Sequence, residues 1–503
     1  MHGFRQAQTA LSVVALLGGG PVLRYETPVV GYPWSVPFEF PLYQVACARL
    51  AGVFHAPPIA TARVVGILAY GGTLGMGAWL LHLLRVPRRA ATVFLILSLM
   101  SPLYIFWSRT VMIETTALFL GVSYLAFVAA WVRCFDSDSG EKRGGGAMVG
   151  FAVAAVLSGS LCAATKATTF PPVGLLAGLI CLAAAVRVVR TTRRIPYLLL
   201  IGAGVLLAAP VVPTYLWTRF ADGVKNQNLV GVMLTSESLR EWNFGTTEMR
   251  RDPRTWYDIA DFNVWDTVGG LPVLLLVLPL FFAVSARWRR MGAACFAAYL
   301  IGPAIFTNLY RVHNYYACGS GLFLIAAVAC LIAGLLENKD TTPGTGDRLQ
   351  RNWRPVAGVF ALLLCFVMQY RTYTTRYRPA QESSSRFLPE VVSVVRDVCP
   401  PDKAILGFGF DWSAELPLYA GRRALMMPGW NAYNAPDKPG ARDAIKRLQM
   451  EGGGIGVLVL ANEPRRLALT QDAAYASLVK DLGFAPTPVY KDDVCLIYAP
   501  KAR

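Results

Sequence analysis

Charge is scarce in this chain: 16% of its 503 residues are Asp, Glu, Lys or Arg, against 54% hydrophobic, and the mean hydropathy is +0.42. That balance excludes an ordinary soluble protein of this length. Runs such as 272–284 (PVLLLVLPLFFAV) also lack any polar face at helical spacing, which excludes helices buried inside a large soluble core. The ten cysteines contain no CxxC or other metal-type spacing. No internal repeat is visible, and no Asp or Glu precedes Glu26. Ala10–Gly20 is too short for a signal peptide and has no cleavage site.

What the chain has is apolar length. Ten runs approach or exceed the roughly 18 residues that suit a membrane-crossing helix. They lie near 60–84, 91–107, 111–132, 147–165, 170–186, 196–217, 267–286, 291–308, 315–336 and 355–370. The fold class that follows is an α-helical polytopic membrane protein.

The net charge of +17 could signal nucleic acid, but its placement points elsewhere. Arg85, Arg88 and Arg89 lie between the first two runs, Arg133, Lys142 and Arg143 between the third and fourth, and Arg187, Arg190, Arg193 and Arg194 between the fifth and sixth. Arg287, Arg289 and Arg290 fill the next such loop, and Lys339, Arg348, Arg351 and Arg354 the last. Basic residues in alternate loops mark the cytoplasmic side, so no nucleic-acid partner is expected. The remaining segments, 1–58, 108–110, 166–169, 218–266, 309–314 and 371–503, are then expected to face outward from a plasma (inner) membrane.

The expected organisation is an outward first segment (1–58), a transmembrane domain (59–370), an Arg/Tyr-rich hinge (371–385) and an outward soluble domain (386–503). The first segment reads as helix Ala7–Leu17, a Gly/Pro turn, an extended stretch and helix Leu42–Val53. Loops 135–146 and 338–352 read as linkers without chemistry. The long loop 218–266 is expected to be functional or to hold small helices. The C-terminal region alternates helix (Leu388–Val398), strand (Ala404–Phe408), helix (Ala441–Met450), strand (Gly456–Leu460), helix (Asp472–Leu482) and strand (Val494–Ala499), which predicts a small α/β sandwich. Gly452–Gly456 leads into a strand, whereas a phosphate loop follows one, so a turn is expected there. Cys399 and Cys495 are the two cysteines of this region, and a disulfide between them is an open expectation.

Polar residues gather in the outward segments and adjoining span ends. The first segment supplies His2, Arg5, Gln6, Gln8, Glu26, Trp34 and Glu39. Arg109 and Glu114 lie between the second and third spans, Lys166 follows the fourth, and His313, Tyr315 and Tyr316 precede the ninth. Ionisable groups at membrane depth are costly and point to function. Arg5, Arg109, Lys166 and a protonated His313 suit a phosphate. Glu26, Glu39 and Glu114 suit a general base, and admit a divalent metal without demanding one. The competing readings are interfacial: arginines near helix ends snorkel, Glu114 opens a helix and complements its dipole, and Tyr and Trp belt the membrane. Glu39, inside the apolar stretch VPFEFPLY, fits such decoration least.

HGFRQAQTA, FEFPLYQ, SPLYIFWSRTVMIETTALF and NLYRVHNYY resemble the dolichyl-phosphate-mannose mannosyltransferase-like membrane glycosyltransferases of the GT-C class, which include the bacterial aminoarabinose transferases. The resemblance spans roughly residues 1–330. It implies many transmembrane helices, an active site in the first outward loop, often a soluble C-terminal domain, and a polyprenyl-phosphate sugar donor. Glu39 in EFPLY looks like the acid of the second first-loop motif, and Glu114 like the acid that opens a helix in relatives. His313, Tyr315 and Tyr316 look like the cluster that meets the donor phosphate or a metal. Gln8 stands where some relatives carry Asp. The first helix of the class has no counterpart ahead of this segment. The expectation drawn is a start upstream of Met1, and an acid just before His2 would then displace Glu39 as the base.

The function expected is an inverting glycosyltransferase acting at the outer face. Glu39, and after it Glu26, would deprotonate an acceptor that is a lipid-linked glycan, a lipid or a protein. Arg5, Arg109, Lys166, His313, Tyr315 and Tyr316 would meet the donor phosphate, and His2, Gln6 and Trp34 would bind substrate. No cofactor is demanded. The alternatives are a transporter or lipid flippase and a structural assembly factor. A transporter would place its charges near the midplane within paired repeats.

Overall fold

The computed structural model describes residues 3–135, 145–337, 348–382, 388–461 and 473–500. The two inward linkers expected at 135–146 and 338–352 fall largely outside them, as does His2. The chain divides into two compact units, one from 1–62, 218–239 and 383–503, the other from 63–217 and 240–382.

The second unit is helical, and the protein is a multi-pass membrane protein. Among the described residues, six helices are long and apolar enough to cross a membrane: Pro58–Leu83, Glu114–Phe135, Gly145–Thr165, Phe170–Thr192, Tyr197–Lys225 and Trp353–Gln381. A seventh span is formed if Pro253–Val268 and Leu271–Ala283 count as one helix bent by 80°. The bend falls on Gly269 and Gly270, whose φ values of 97° and 114° are open to glycine and strained for other residues. Asp252 starts this pair by accepting the Arg254 N–H, with Pro253 in the first turn.

Three other apolar runs take different forms. The run at 91–107 breaks into Arg88–Met100 and Pro102–Trp107, because Pro102 lacks an N–H and forces Ser101 into an extended conformation. Gly321–Leu336 has 16 residues, too few for the full hydrocarbon thickness when straight. Ala286–Ile305 opens with three arginines. Long apolar side chains such as Leu68, Leu275 and Phe282 stay exposed on these helices, as lipid-facing positions require. Small residues let helices approach: a Cβ added to Gly159 would lie 2.8 Å from the Tyr124 ring. The Arg/Tyr-rich stretch read as a hinge is helical through Glu382, with a π-helical turn at Tyr373–Tyr377.

The first unit is built on a five-stranded sheet: β1 (Ala404–Phe408), β2 (Ala424–Met426), β3 (Ile455–Ala461), β4 (Tyr490–Lys491) and β5 (Cys495–Tyr498), in the order β2-β1-β3-β5-β4. β1 pairs parallel with β2 and β3, while β5 runs antiparallel to β3 and β4. The central strands are continuous apolar runs, AILGF and IGVLVLA, because they are covered on both faces. The three-residue β2 escapes a reading based on hydrophobic runs.

The first segment docks onto the free edge of β2. Gly31 N–H donates to Ala424 O, Ala424 N–H to Pro28 O and Met426 N–H to Val29 O, at 3.0, 3.0 and 2.7 Å. This pairing covers an edge that would otherwise be open. Val29, Val30, Trp34 and Val36 share one core with Val230, Leu234, Ile405 and Leu425. Asn228 ties the third piece of the unit in. Its buried amide donates to the carbonyls of Val30, Gly31 and Pro33, and its Oδ1 accepts the N–H groups of Val230 and Gly231.

The expected Cys399–Cys495 disulfide is absent: both cysteines are free and buried. Cys399 Sγ lies 2.8 Å from a Cβ added to Gly456 at the start of β3, whereas Cys495 pairs with Ala461 at its end. Five residues of strand separate them by about 16 Å, far beyond disulfide reach.

Candidate functional site

In the first unit, polar chemistry centres on Glu39. Helix Gly3–Leu17 buries Ala7, Gln8, Leu11 and Ser12, which leaves Arg5 one turn below Gln8 on the same side. Arg5 Nη2 lies 2.8 Å from Glu39 Oε1, and its Nη1 donates to Gln8 Oε1 at 2.9 Å. Both side chains of the pair are 20% exposed, so the carboxylate is held yet still reachable. Gln8 itself is buried, and its Nε2 has no hydrogen-bond partner among the described residues.

The backbone around Glu39 is fixed by a buried phenol. Tyr25 OH donates to Glu39 O at 3.0 Å and accepts the Phe38 N–H at 2.7 Å. Burial, and then the Glu39 charge, push the Tyr25 pKa up, so the hydroxyl keeps its proton. Two cations lie over the Phe38 ring, the Arg5 guanidinium at 5.1 Å and the Lys225 ammonium at 5.5 Å. Lys225 also pairs with Asp222 at 3.2 Å. Sequence analysis does not single out Lys225, which lies in the loop 218–266, eight residues past the apolar run that ends at 217.

The other candidates of this segment sit differently. Glu26 pairs with Arg423 through both oxygens, at 3.0 and 3.2 Å. Trp34 is buried beneath the same Arg423, whose guanidinium lies 5.3 Å from its ring. Gln6 is half-buried on the first helix.

In the membrane unit, Glu114 and Lys166 meet. Glu114 opens its helix, Lys166 follows the helix ending at Thr165, and Lys166 Nζ lies 3.1 Å from Glu114 Oε1. The side chains are 3% and 5% exposed. The ammonium also sits 4.7 Å from the Tyr316 ring and 5.8 Å from that of Tyr315. His313 stacks on Tyr315 at 5.1 Å, and Tyr315 packs on Tyr316 and Trp107. Five predicted residues thus form one cluster: Glu114, Lys166, His313, Tyr315 and Tyr316. Arg109 is more exposed, donating to Ile105 O and to the Tyr373 hydroxyl at 2.7 and 3.2 Å.

A neighbouring network went unread in the sequence. Buried Asp266 accepts from Asn314 Nδ2 at 2.8 Å, and Arg376 lies 3.9 Å from Asp266 and 3.4 Å from Asp261 while covering the Trp265 ring. The Asp266 carboxylate follows Trp265 at the end of a helix that sequence reading left inside a long loop. Among the described residues, no three His, Cys, Asp or Glu side chains group to hold a metal ion.

No protein-family model matches the chain, and no curated protein matches it in sequence. Solved structures do match its fold. The aminoarabinose transferase ArnT from Cupriavidus metallidurans, bound to undecaprenyl phosphate, has a TM-score of 0.56 at 15% identity, over 98% of this chain and 93% of that one. The oligosaccharyltransferase AglB from Archaeoglobus fulgidus, with an inhibitory peptide and a dolichol-phosphate, has a TM-score of 0.51 at 12% identity, over 92% and 65%. In its apo form the Archaeoglobus fulgidus oligosaccharyltransferase has 0.54 at 11%, over 93% and 67%. The fold is therefore that of the GT-C glycosyltransferases, with a small C-terminal α/β sheet.

Proposed function

We propose that the chain is a glycosyltransferase that moves a sugar from a polyprenyl-phosphate donor to an acceptor at the outer face of the plasma membrane. The observation that carries the reading is the buried Glu114–Lys166 pair beside His313, Tyr315 and Tyr316 in a GT-C fold. A buried ion pair that contributes little to stability by itself is weak as a structural device. A cation at the end of a membrane helix suits a lipid phosphate. The undecaprenyl phosphate and dolichol-phosphate held by the ArnT and AglB structures support that choice of donor.

The chemistry is one displacement. The acceptor hydroxyl oxygen forms a bond to the anomeric carbon as the bond from that carbon to the phosphate oxygen breaks. Glu39 takes the hydroxyl proton, and Arg5 holds the carboxylate in place. Lys166 and His313 stabilise the charge left on the polyprenyl phosphate, with Arg109 as an additional cation of that unit. Glu39→Gln keeps the shape of the side chain and removes the base. Membranes carrying this variant and supplied with lipid-linked sugar should transfer none of it, and full transfer would overturn the assignment of the base.

A further inference from the structure

The displacement described above makes no use of one buried carboxylate in the membrane unit. Asp266, its side chain 3% exposed, lies in the last turn of the helix Pro253–Val268. The helix dipole opposes a negative charge at that end, and a buried ion pair returns little stability for its desolvation. Arg376 offsets part of the cost from 3.9 Å, yet it lies closer to Asp261, at 3.4 Å, earlier on the same helix. Tying the last span to this helix therefore needs only Asp261. Such a tether leaves unexplained a second bond, in which Asn314 Nδ2 donates to Asp266 Oδ2 at 2.8 Å.

Asn314 opens the 3-10 turn Asn314–Gly319 and stands between His313 and Tyr315. Its amide also reaches the Tyr377 hydroxyl, at 3.4 Å. The Tyr377 ring packs on Phe106 at 5.0 Å, Phe106 on Trp107 at 4.8 Å, and Trp107 returns to Tyr315 at 5.7 Å. The turn is thus held at the Asn314 amide and again at the ring of the next residue. Tyr316 and Tyr315 in turn present their rings to the Lys166 ammonium, at 4.7 and 5.8 Å. We propose that Asp266 is a positioning residue: by orienting Asn314 it holds Tyr315 and Tyr316 over Lys166. Hydrogen bonds behind a site lock its side chains in this way, and a charged acceptor makes the bond a strong one. The inference rests on the reading that Lys166 meets the donor phosphate; on that reading, Asp266 sets the affinity for the phosphate through Asn314.

The test compares Asp266→Ala with Asp266→Asn in the full chain in phosphatidylcholine nanodiscs. Both variants remove the same charge, and only Asp266→Asn still offers an oxygen to Asn314. Loss of a negative charge alone would leave undecaprenyl phosphate bound as tightly as before, or more tightly. Loss of the hydrogen bond should instead weaken its binding about ten-fold in Asp266→Ala, with Asp266→Asn staying close to the wild type. A second readout needs no ligand: the fluorine NMR line of 3-fluorotyrosine placed at position 316 should move in Asp266→Ala and return in Asp266→Asn. A line that stays in place in Asp266→Ala, or equal binding by both variants, would overturn the proposal. If the wild type binds no undecaprenyl phosphate, the donor reading fails by itself, and the fluorine line still decides whether Asp266 positions the ring.

Discussion

Lys166 and Glu114 are 52 positions apart in sequence, yet Nζ and Oε1 meet at 3.1 Å in a site that excludes water from both side chains. Each charge is tolerable there because of the other. Removing one partner strands the second, at a cost of about 3–5 kcal/mol. Lys166→Met and Glu114→Leu should each lower the unfolding midpoint strongly, while the double variant recovers most of the loss. Transfer should stay absent in the double variant, because Lys166 serves the donor phosphate. A double variant as unstable as the single ones would contradict the pairing.

Tyr25 tests how Glu39 is positioned. Tyr25→Phe leaves the Phe38 N–H without its acceptor in a buried site, a loss of about 1–3 kcal/mol. Because the phenol's hydrogen bonds go to the backbone beside Glu39, kcat should fall while KM changes little. Steady-state transfer kinetics read both. A change confined to KM would place Tyr25 in substrate binding instead.

Asn228 tests the assembly of the first unit. Its side chain makes five hydrogen bonds to backbone groups of two separate segments. Asn228→Ala should destabilise the protein by about 2–4 kcal/mol, since several buried groups lose their partner at once. Proteolysis should then cut the first 60 residues sooner than in the wild type. Unchanged protection would mean that the sheet-edge pairing alone holds the segment.

The two cysteines of the soluble region give a pH test. Burial pushes the Cys399 thiol up to about 11 and the Cys495 thiol up to about 12, from an ordinary value near 8.5. The unfolded chain therefore loses these protons first. Their contribution to stability is complete below about pH 8.5 and declines as pH rises toward 11–12. At pH 8 neither should react with iodoacetamide until the protein is denatured. Rapid labelling of either in the native protein would contradict their burial.

Much of this architecture was legible because it rests on local signals. The continuous apolar run AILGF marks Ala404–Phe408 to the residue, and the helical spacing of apolar residues does the same for Leu388–Val398. Long-range pairing was not legible. Glu26 reads as a catalytic acid by proximity to Glu39, but its partner Arg423 is 397 residues away. Glu114 and Lys166 were legible as polar residues at helix ends on one face, but their pairing, across 52 positions, was not. Asp266 was not, since its helix, interrupted by two glycines, reads as the end of a loop.

The central claim is that the chain transfers a sugar, with Glu39 as base. Its most direct test is mass spectrometry of cell-envelope glycans from cells lacking the protein, then from the same cells given the wild type or Glu39→Gln. The account predicts a glycan or lipid short by one sugar, restored by the wild type and left short by Glu39→Gln. Envelope glycans that stay intact without the protein would contradict it.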